Sequence, residues 1–152
     1  MKLRRRARMI ALQALYEVDS VHHDPTTVLE ARLSEKPLPP EGEAFARALL
    51  NGVLAHLPQL DEMIHAYAPE WPLEQMAIID RNILRMAIYE FAINGETPIK
   101  VAINEAVELA KIFGSDSSRR FVNGVLGTLA NQITLSRPHS HKATSQSKNR
   151  RS

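Results

Sequence analysis

From Leu3 to Val18 the apolar residues recur at the spacing of an α-helix, with Leu3, Ala7, Ile10, Ala11, Ala14, Leu15 and Val18 on one side of the cylinder. A strand would alternate, and this stretch does not. It opens, without a break, as the basic run Arg4-Arg5-Arg6-Ala7-Arg8. At about 100° per residue, Arg4, Arg5 and Arg8 fan out on one flank of the stripe and Arg6 falls on the other. Tyr16 lies opposite the stripe, about three turns beyond Arg5 and on nearly the same face. Cations for phosphates beside a ring for stacking are what single-stranded RNA requires. A solvated arginine run with Tyr16 packed on a neighbour explains the same residues, and the stretch alone leaves both readings open.

The rest of the chain continues in helices separated by breakers. Asp19-Ser-Val-His-His-Asp-Pro25 interrupts the first helix, because proline disfavours a helical residue before it. Asp24 or Thr26 caps a second helix to about Glu35, and the prolines of Pro37-Leu38-Pro39-Pro40 form a stiff connector. A third helix over about Glu41–His56 is expected to turn Ala44, Phe45, Ala48, Leu49, Gly52 and Val53 inward. Gly52 costs roughly 1 kcal/mol against Ala in a helix, so a close crossing is its expected reason. Pro58 starts a fourth helix to Tyr67, and Ala68-Pro69-Glu70-Trp71-Pro72 separates it from a fifth, about Leu73–Asn94. Trp71, the only tryptophan, is expected to plug the seam between two halves. Asn94-Gly95 stops the fifth helix and Thr97-Pro98 starts the sixth, which is expected to bury Val101, Ala102, Ala106, Leu109, Ala110 and Phe113. After Gly114 a seventh helix carries Ser118, Val122, Val125, Leu126, Leu129 and Ile133 inward. The expected fold is all-α, about seven helices in two small helical bundles, 1–67 and 73–135, with a disordered basic tail over 136–152.

Charge is segregated along the chain. Residues 1–10 carry five basic side chains, including Lys2, and residues 137–152 carry five more, neither with an acid. The remaining nine basic residues face all 17 acids over 11–136, a net of −8. Polyanion contact is therefore expected near the first helix, with acidic faces left for a basic protein partner. Cysteine is absent, which excludes a disulfide scaffold and thiol chemistry and fits a cytoplasmic protein. No apolar run of signal-peptide or membrane-spanning type occurs, so no membrane contact is expected.

A second informative stretch is Gly114-Ser-Asp-Ser-Ser-Arg-Arg-Phe-Val-Asn-Gly-Val-Leu-Gly127. A glycine stop followed by Ser/Asp caps presents amide donors at a helix start, where an anion is favoured. Arg119 and Arg120 stand in the first turn, where the helix dipole disfavours cations, so an external anion would compensate. Phe121, on the flank of the buried stripe, either stacks a base or packs in an ordinary helical corner. Lys100 extends the same surface or is simply solvated. Catalytic readings are poor. Ser117 and Ser118 sit in no Gly-x-Ser-x-Gly elbow, and His22-His23 and His139-x-His141 lack further ligand spacing. There is no phosphate-cradling glycine loop. A non-enzyme without cofactor or metal is expected.

Arg6-Ala7-Arg8 with Ala11-Leu-Gln-Ala-Leu-Tyr16, then Asp80-Arg-Asn-Ile-Leu-Arg-Met-Ala-Ile-Tyr-Glu90, resembles the NusB family of bacterial transcription antitermination factors. So do Pro98-Ile-Lys-Val-Ala-Ile-Asn-Glu-Ala-Val-Glu-Leu-Ala-Lys111, Phe113-Gly114 and Arg120-Phe-Val-Asn-Gly-Val-Leu126, in the family's order over about residues 1–133. The resemblance implies two helical bundles that bind boxA-type RNA of ribosomal RNA leaders, together with the ribosomal protein NusE, within an RNA polymerase antitermination complex. By position it implies that the Arg-rich start (Lys2, Arg4, Arg5, Arg6, Arg8) holds phosphates, and that Tyr16, Lys100, Ser117, Arg119, Arg120 and Phe121 line the rest of the RNA track. An acidic face of the fifth helix around Glu74 and Asp80 would meet the basic NusE.

Two positions depart from the family pattern. Asp116 is followed by Ser117 where many relatives have a second acid, and Gly127 stands where Asp is frequent. Losing an acid beside an RNA path removes a repulsion, so RNA affinity is expected to be intact or slightly stronger, and Ser117→Asp should weaken it. Two competing readings are carried forward. One is the NusB-like domain of a ribosomal RNA cytosine methyltransferase, which would require a large cofactor domain downstream. The other is a protein–protein adaptor that dimerises through its helical faces; a homodimer burying Arg5 and Arg8 would mask the RNA site. The five cations of the first eight residues argue against a pure adaptor.

Overall fold

The computed structural model describes residues 2–136, with side chains to 133. Seven α-helices follow one another in the expected order: α1 (Leu3–Val21), α2 (Pro25–Glu35), α3 (Pro40–Ala55), α4 (Leu57–Tyr67), α5 (Ile78–Ile88), α6 (Ile99–Phe113) and α7 (Ser118–Ser136). No strand forms among the described residues. No helix among them is long and apolar enough to cross a membrane. The expected basic tail lies outside the described residues except for Ser136, which ends α7.

Local chemistry sets the helix ends. His22 takes the left-handed conformation, φ 59°, and its N–H donates to the Val18 carbonyl at 3.0 Å, closing α1. The Asp24 carboxylate accepts from the Thr27 N–H at 3.0 Å, and Pro25 occupies the first turn of α2. At the other end of the chain, a Cβ on Gly114 would run into the Ser118 side chain, so the corner between α6 and α7 admits only glycine there without a shift. Ser118 is fully buried, and its hydroxyl accepts from the Ser115 N–H at 2.9 Å.

Helices α1 and α5 are the centre of the molecule. α1 packs on α2, α3 and α5, while α5 meets α1, α3, α4, α6 and α7. Consequently α1 buries more than one stripe: Leu12 joins Ala7, Ile10, Ala11, Ala14 and Leu15 in the interior. Burying a leucine such as Leu12 or Leu15 is worth roughly 1.5–3 kcal/mol. One continuous apolar core includes residues from both sides of the 68–72 connector.

Several expectations fail for identifiable reasons. The fifth helix does not run from Leu73 to Asn94. A single 3-10 turn over Leu73–Gln75 is followed by extended Met76 and Ala77; α5 then begins at Ile78 and gives way to a π-helical turn over Tyr89–Ile93. Trp71 does not plug a seam; it is 51% exposed and meets Phe121 edge-on, with ring centroids 5.9 Å apart. In α3 the inward residues are Gly42, Ala46, Leu49, Leu50 and Val53, whereas Ala44 and Ala48 are exposed. Val101 of α6 is also exposed. The Gly52 expectation holds, since a Cβ there would overlap the Tyr89 ring.

The Arg81–Arg85 stretch of α5 is a structural clamp. Asp19 of α1 accepts from Arg81 Nε and Nη2, each at 2.8 Å, from Asn82 Nδ2 at 2.9 Å and from Arg85 Nη1 at 3.0 Å. Arg85 also forks onto Asp61 of α4 at 2.8 and 2.9 Å. Burial pushes the Asp19 carboxyl up, but hydrogen bonds from Arg81 and Asn82 and the charges of Arg85 and Arg81 outweigh it and hold the group at about 2.

Candidate nucleic-acid interface

The basic start of α1 divides by function. Arg8 is 4% exposed, and its Nε and Nη2 fork onto the Glu90 carboxylate at 2.9 and 2.7 Å. The Thr97 hydroxyl donates to the same carboxylate at 2.9 Å. Arg8 therefore anchors α1 to the π-helical turn and is not free to hold a phosphate, contrary to expectation. The reason lies in the wide burial of α1, because Arg8 shares a ridge with buried Leu12 and Leu15 rather than with the solvated flank.

The other cations stay at the surface. Arg5 forks onto Glu105 of α6, Nε to Oε1 at 3.0 Å and Nη2 to Oε2 at 2.8 Å. The bond from Arg5 and its charge hold Glu105 below the usual carboxylate range despite partial burial. Arg4 lies over the Phe45 ring of α3, 4.7 Å from its centroid, and Arg6 donates to the Pro37 carbonyl at 3.4 Å. Lys2 is exposed at the helix start, and Lys100 is exposed one turn before Asn104 on α6.

The folded chain brings residues more than a hundred positions apart into one cleft. Arg5, Asn104, Val107, Glu108, Asp116, Arg119, Arg120 and Asn123 line a polar depression of about 580 Å³. Arg119 and Arg120 are exposed there, and no carboxylate among the described residues pairs with either. Such a cleft offers two unpaired guanidinium groups and a third already aligned by Glu105, the donor geometry that phosphate oxygens fit.

Beside it, Trp71, Gln75, Met76, Ala77, Asp80, Ser117, Arg120 and Phe121 line a second cavity of about 350 Å³. Arg120 belongs to both. Tyr16, 44% exposed, joins neither; with Gln13, Arg32, Ala77, Ile78, Ile79 and Phe113 it lines a separate groove. Glu74 is exposed on the 3-10 turn, but Asp80 is only 8% exposed. The two acids do not form the expected open face, because α5 starts at Ile78 and places Asp80 in its first turn beside the Trp71 cavity. Sequence reasoning passed over Asn104, Glu105 and Asn123, which have no signature apart from the cations they accompany. It also misjudged Trp71, whose apolar ring suggested burial. Among the described residues no cluster of His, Asp and Glu suited to a metal occurs.

The model of the NusB family matches residues 5–131. The transcription antitermination protein NusB of Roseiflexus sp. (strain RS-1) is 54% identical over 132 residues, which cover 86% of this chain and 93% of that protein. Among solved structures, T. maritima NusB aligns with a TM-score of 0.78 at 35% identity, over 85% of this chain and 91% of that one. A chain from the complex of the antitermination factors NusB and NusE with double-stranded RNA aligns with a TM-score of 0.80, over 87% and 98%. At 22% identity that last likeness speaks for the fold alone.

Proposed function

The chain belongs to the NusB family of transcription antitermination factors, which are not enzymes, and from that premise we propose that it binds boxA-type single-stranded leader RNA together with NusE in an RNA polymerase antitermination complex. The observation that carries this reading is the cleft shared by Arg5, Arg119 and Arg120. Two of its three guanidinium groups have no carboxylate partner among the described residues, in a body whose charge is otherwise acidic. A surface that keeps cations unpaired beside acids favours a polyanion ligand. A chain of the same fold occurs in the solved complex of NusB and NusE with double-stranded RNA.

The proposed RNA track runs from Lys2, Arg4 and Arg5 across Lys100 to Ser117, Arg119, Arg120 and Phe121. Arg8 is excluded by its burial, and Tyr16 and Arg6 border two other grooves. Exposed Glu74 is retained as a contact for the basic NusE. The proposal is tested by fluorescence anisotropy of a labelled boxA-type RNA and a scrambled RNA, each with and without NusE. Preference for boxA that NusE strengthens is the expected result. Equal binding of both RNAs, indifferent to NusE, would reduce the basic cleft to a general polyanion patch.

A further inference from the structure

The cavity beside the Arg cleft contains a feature that the phosphate track does not use. Asp80 is 92% buried by its 8% exposure, and its Oδ1 is a buried oxygen with no hydrogen-bond partner. No described residue donates to either of its oxygens. A buried carboxylate oxygen left without a hydrogen bond is unfavourable, so it calls for a donor from outside the chain. Asp80 stands in the first turn of α5, whose amides make no hydrogen bond to its carboxylate.

Around that carboxylate the cavity is shaped for a flat group. Trp71 and Phe121 meet at an interplanar angle of 77°, so a planar ligand can stack on one ring while its edge meets the other. Half of Trp71 remains open to solvent, unusual for a residue with so much apolar surface. The volume, about 350 Å³, falls at the small end of the roughly 300–1,000 Å³ typical of small-ligand sites. Arg120 lines both this cavity and the phosphate cleft, which joins a site for a ring to a site for its phosphate.

We propose that the Trp71–Phe121–Asp80 cavity is a nucleobase pocket of the RNA track, and that Asp80 selects guanine. This rests on the RNA-binding reading above and adds a base-reading element to it. Guanine presents two adjacent donors on its Watson–Crick edge, N1–H and the N2 amine, which match the two oxygens of one carboxylate. Uracil presents a single N–H between two carbonyls, both of which repel a carboxylate. Adenine and cytosine present one amine beside an acceptor nitrogen. Bases splayed from a single strand are read on these edges while stacked on aromatic side chains. The assignment moves Asp80 from a protein-facing acid to an RNA-facing one.

Trp71 is the only tryptophan of the chain and therefore reports on this cavity alone. The full chain is titrated with the 12-mers (GU)6, its inosine counterpart (IU)6 and U12, following Trp71 emission and, in parallel, anisotropy of the labelled RNAs. The expected result is quenching by (GU)6, with affinity above that for U12 by on the order of fivefold or more, and an intermediate value for (IU)6, which lacks the amine. Asp80→Asn, nearly the same shape, should bring the three RNAs within about twofold of one another. Trp71→Ala should weaken all three alike, by roughly fivefold or more, through lost stacking. Thermal melting checks that both variants remain folded. A guanine preference that survives Asp80→Asn overturns the pocket while leaving RNA binding intact, as does RNA binding without a change in Trp71 emission. Emission that responds to NusE and not to RNA makes the cavity a protein-docking site and overturns the base reading. Absence of anisotropy change with any RNA defeats the RNA-binding proposal itself, and the pocket falls with it.

Discussion

Arg5 and Arg8 lie one turn apart, yet they answer to different physics. Arg8 and Glu90 are a buried, doubly hydrogen-bonded pair, and removing one partner strands the other charge. Arg8→Ala should therefore cost about 3–5 kcal/mol of stability in urea titrations. Arg5 and Glu105 are partly solvated, so Arg5→Ala should cost about 1 kcal/mol or less while weakening RNA binding. An Arg8→Ala protein as stable as its parent would refute the anchoring role. A combined Arg5/Arg8 variant would confuse misfolding with loss of contact. The divergence is only half legible in the sequence. Helical periodicity placed both on one flank, but Arg8 shares a ridge with Leu12 and Leu15, and only the packing of α5 against α1 decides that this ridge is interior.

Among the elements, α3 and the π-helical turn after α5 approach each other closely. Gly52 lets the Tyr89 ring lie against the α3 backbone, with His56 tilted on the same ring at 5.7 Å. Alanine would gain roughly 1 kcal/mol of helix propensity. Its Cβ would meet the ring and force a shift, an overpacking cost of about 1–3 kcal/mol. Gly52→Ala is expected to lower the melting temperature, and Gly52→Ala combined with Tyr89→Leu to recover part of the loss. A stabilised single variant would mean that the ring moves aside freely. This crossing was readable in advance, because a glycine inside a strong helical pattern needs a reason. The helix breaks around it were not. Met76-Ala77 contains neither glycine nor proline, yet its backbone is extended between the 3-10 turn and α5. Gly114 ended α6 and Asp24-Pro25 started α2 as their chemistry said. By contrast, α1 ran on through Asp19 to Val21, past the expected break, and Asn94-Gly95 closed the π-helical turn rather than α5 itself.

Across the whole molecule, charge does two jobs that the sequence shows only as totals. One is internal. Asp19, Asp61, Arg81 and Arg85 tie α1, α4 and α5 together. Because the folded state lowers the Asp19 carboxyl from the ordinary 3.8 to about 2, its contribution is fully present above about pH 4 and is lost as the pH falls through 2. Asp19→Asn should lower stability at pH 7 by on the order of 1.5–3 kcal/mol. It should also flatten the stability profile between pH 4 and 2, measured by urea titration at each pH. An unchanged acid limb would show that other carboxylates dominate it. The other job is external, and the cleft that performs it was legible as two separate motifs. The basic start and the Ser-Ser-Arg-Arg-Phe segment stood out, but nothing in the order of residues said that Arg5 and Arg119 would face one depression. That convergence is the central claim, and the salt dependence of RNA affinity tests it most directly. For wild type and Arg119→Ala/Arg120→Ala, the logarithm of the boxA affinity is plotted against the logarithm of salt concentration. Each lost phosphate contact flattens the slope by about 0.7, so the double variant should be shallower by about 1.4, with its melting temperature unchanged. Parallel lines for the two proteins would contradict the claim and place the phosphates elsewhere.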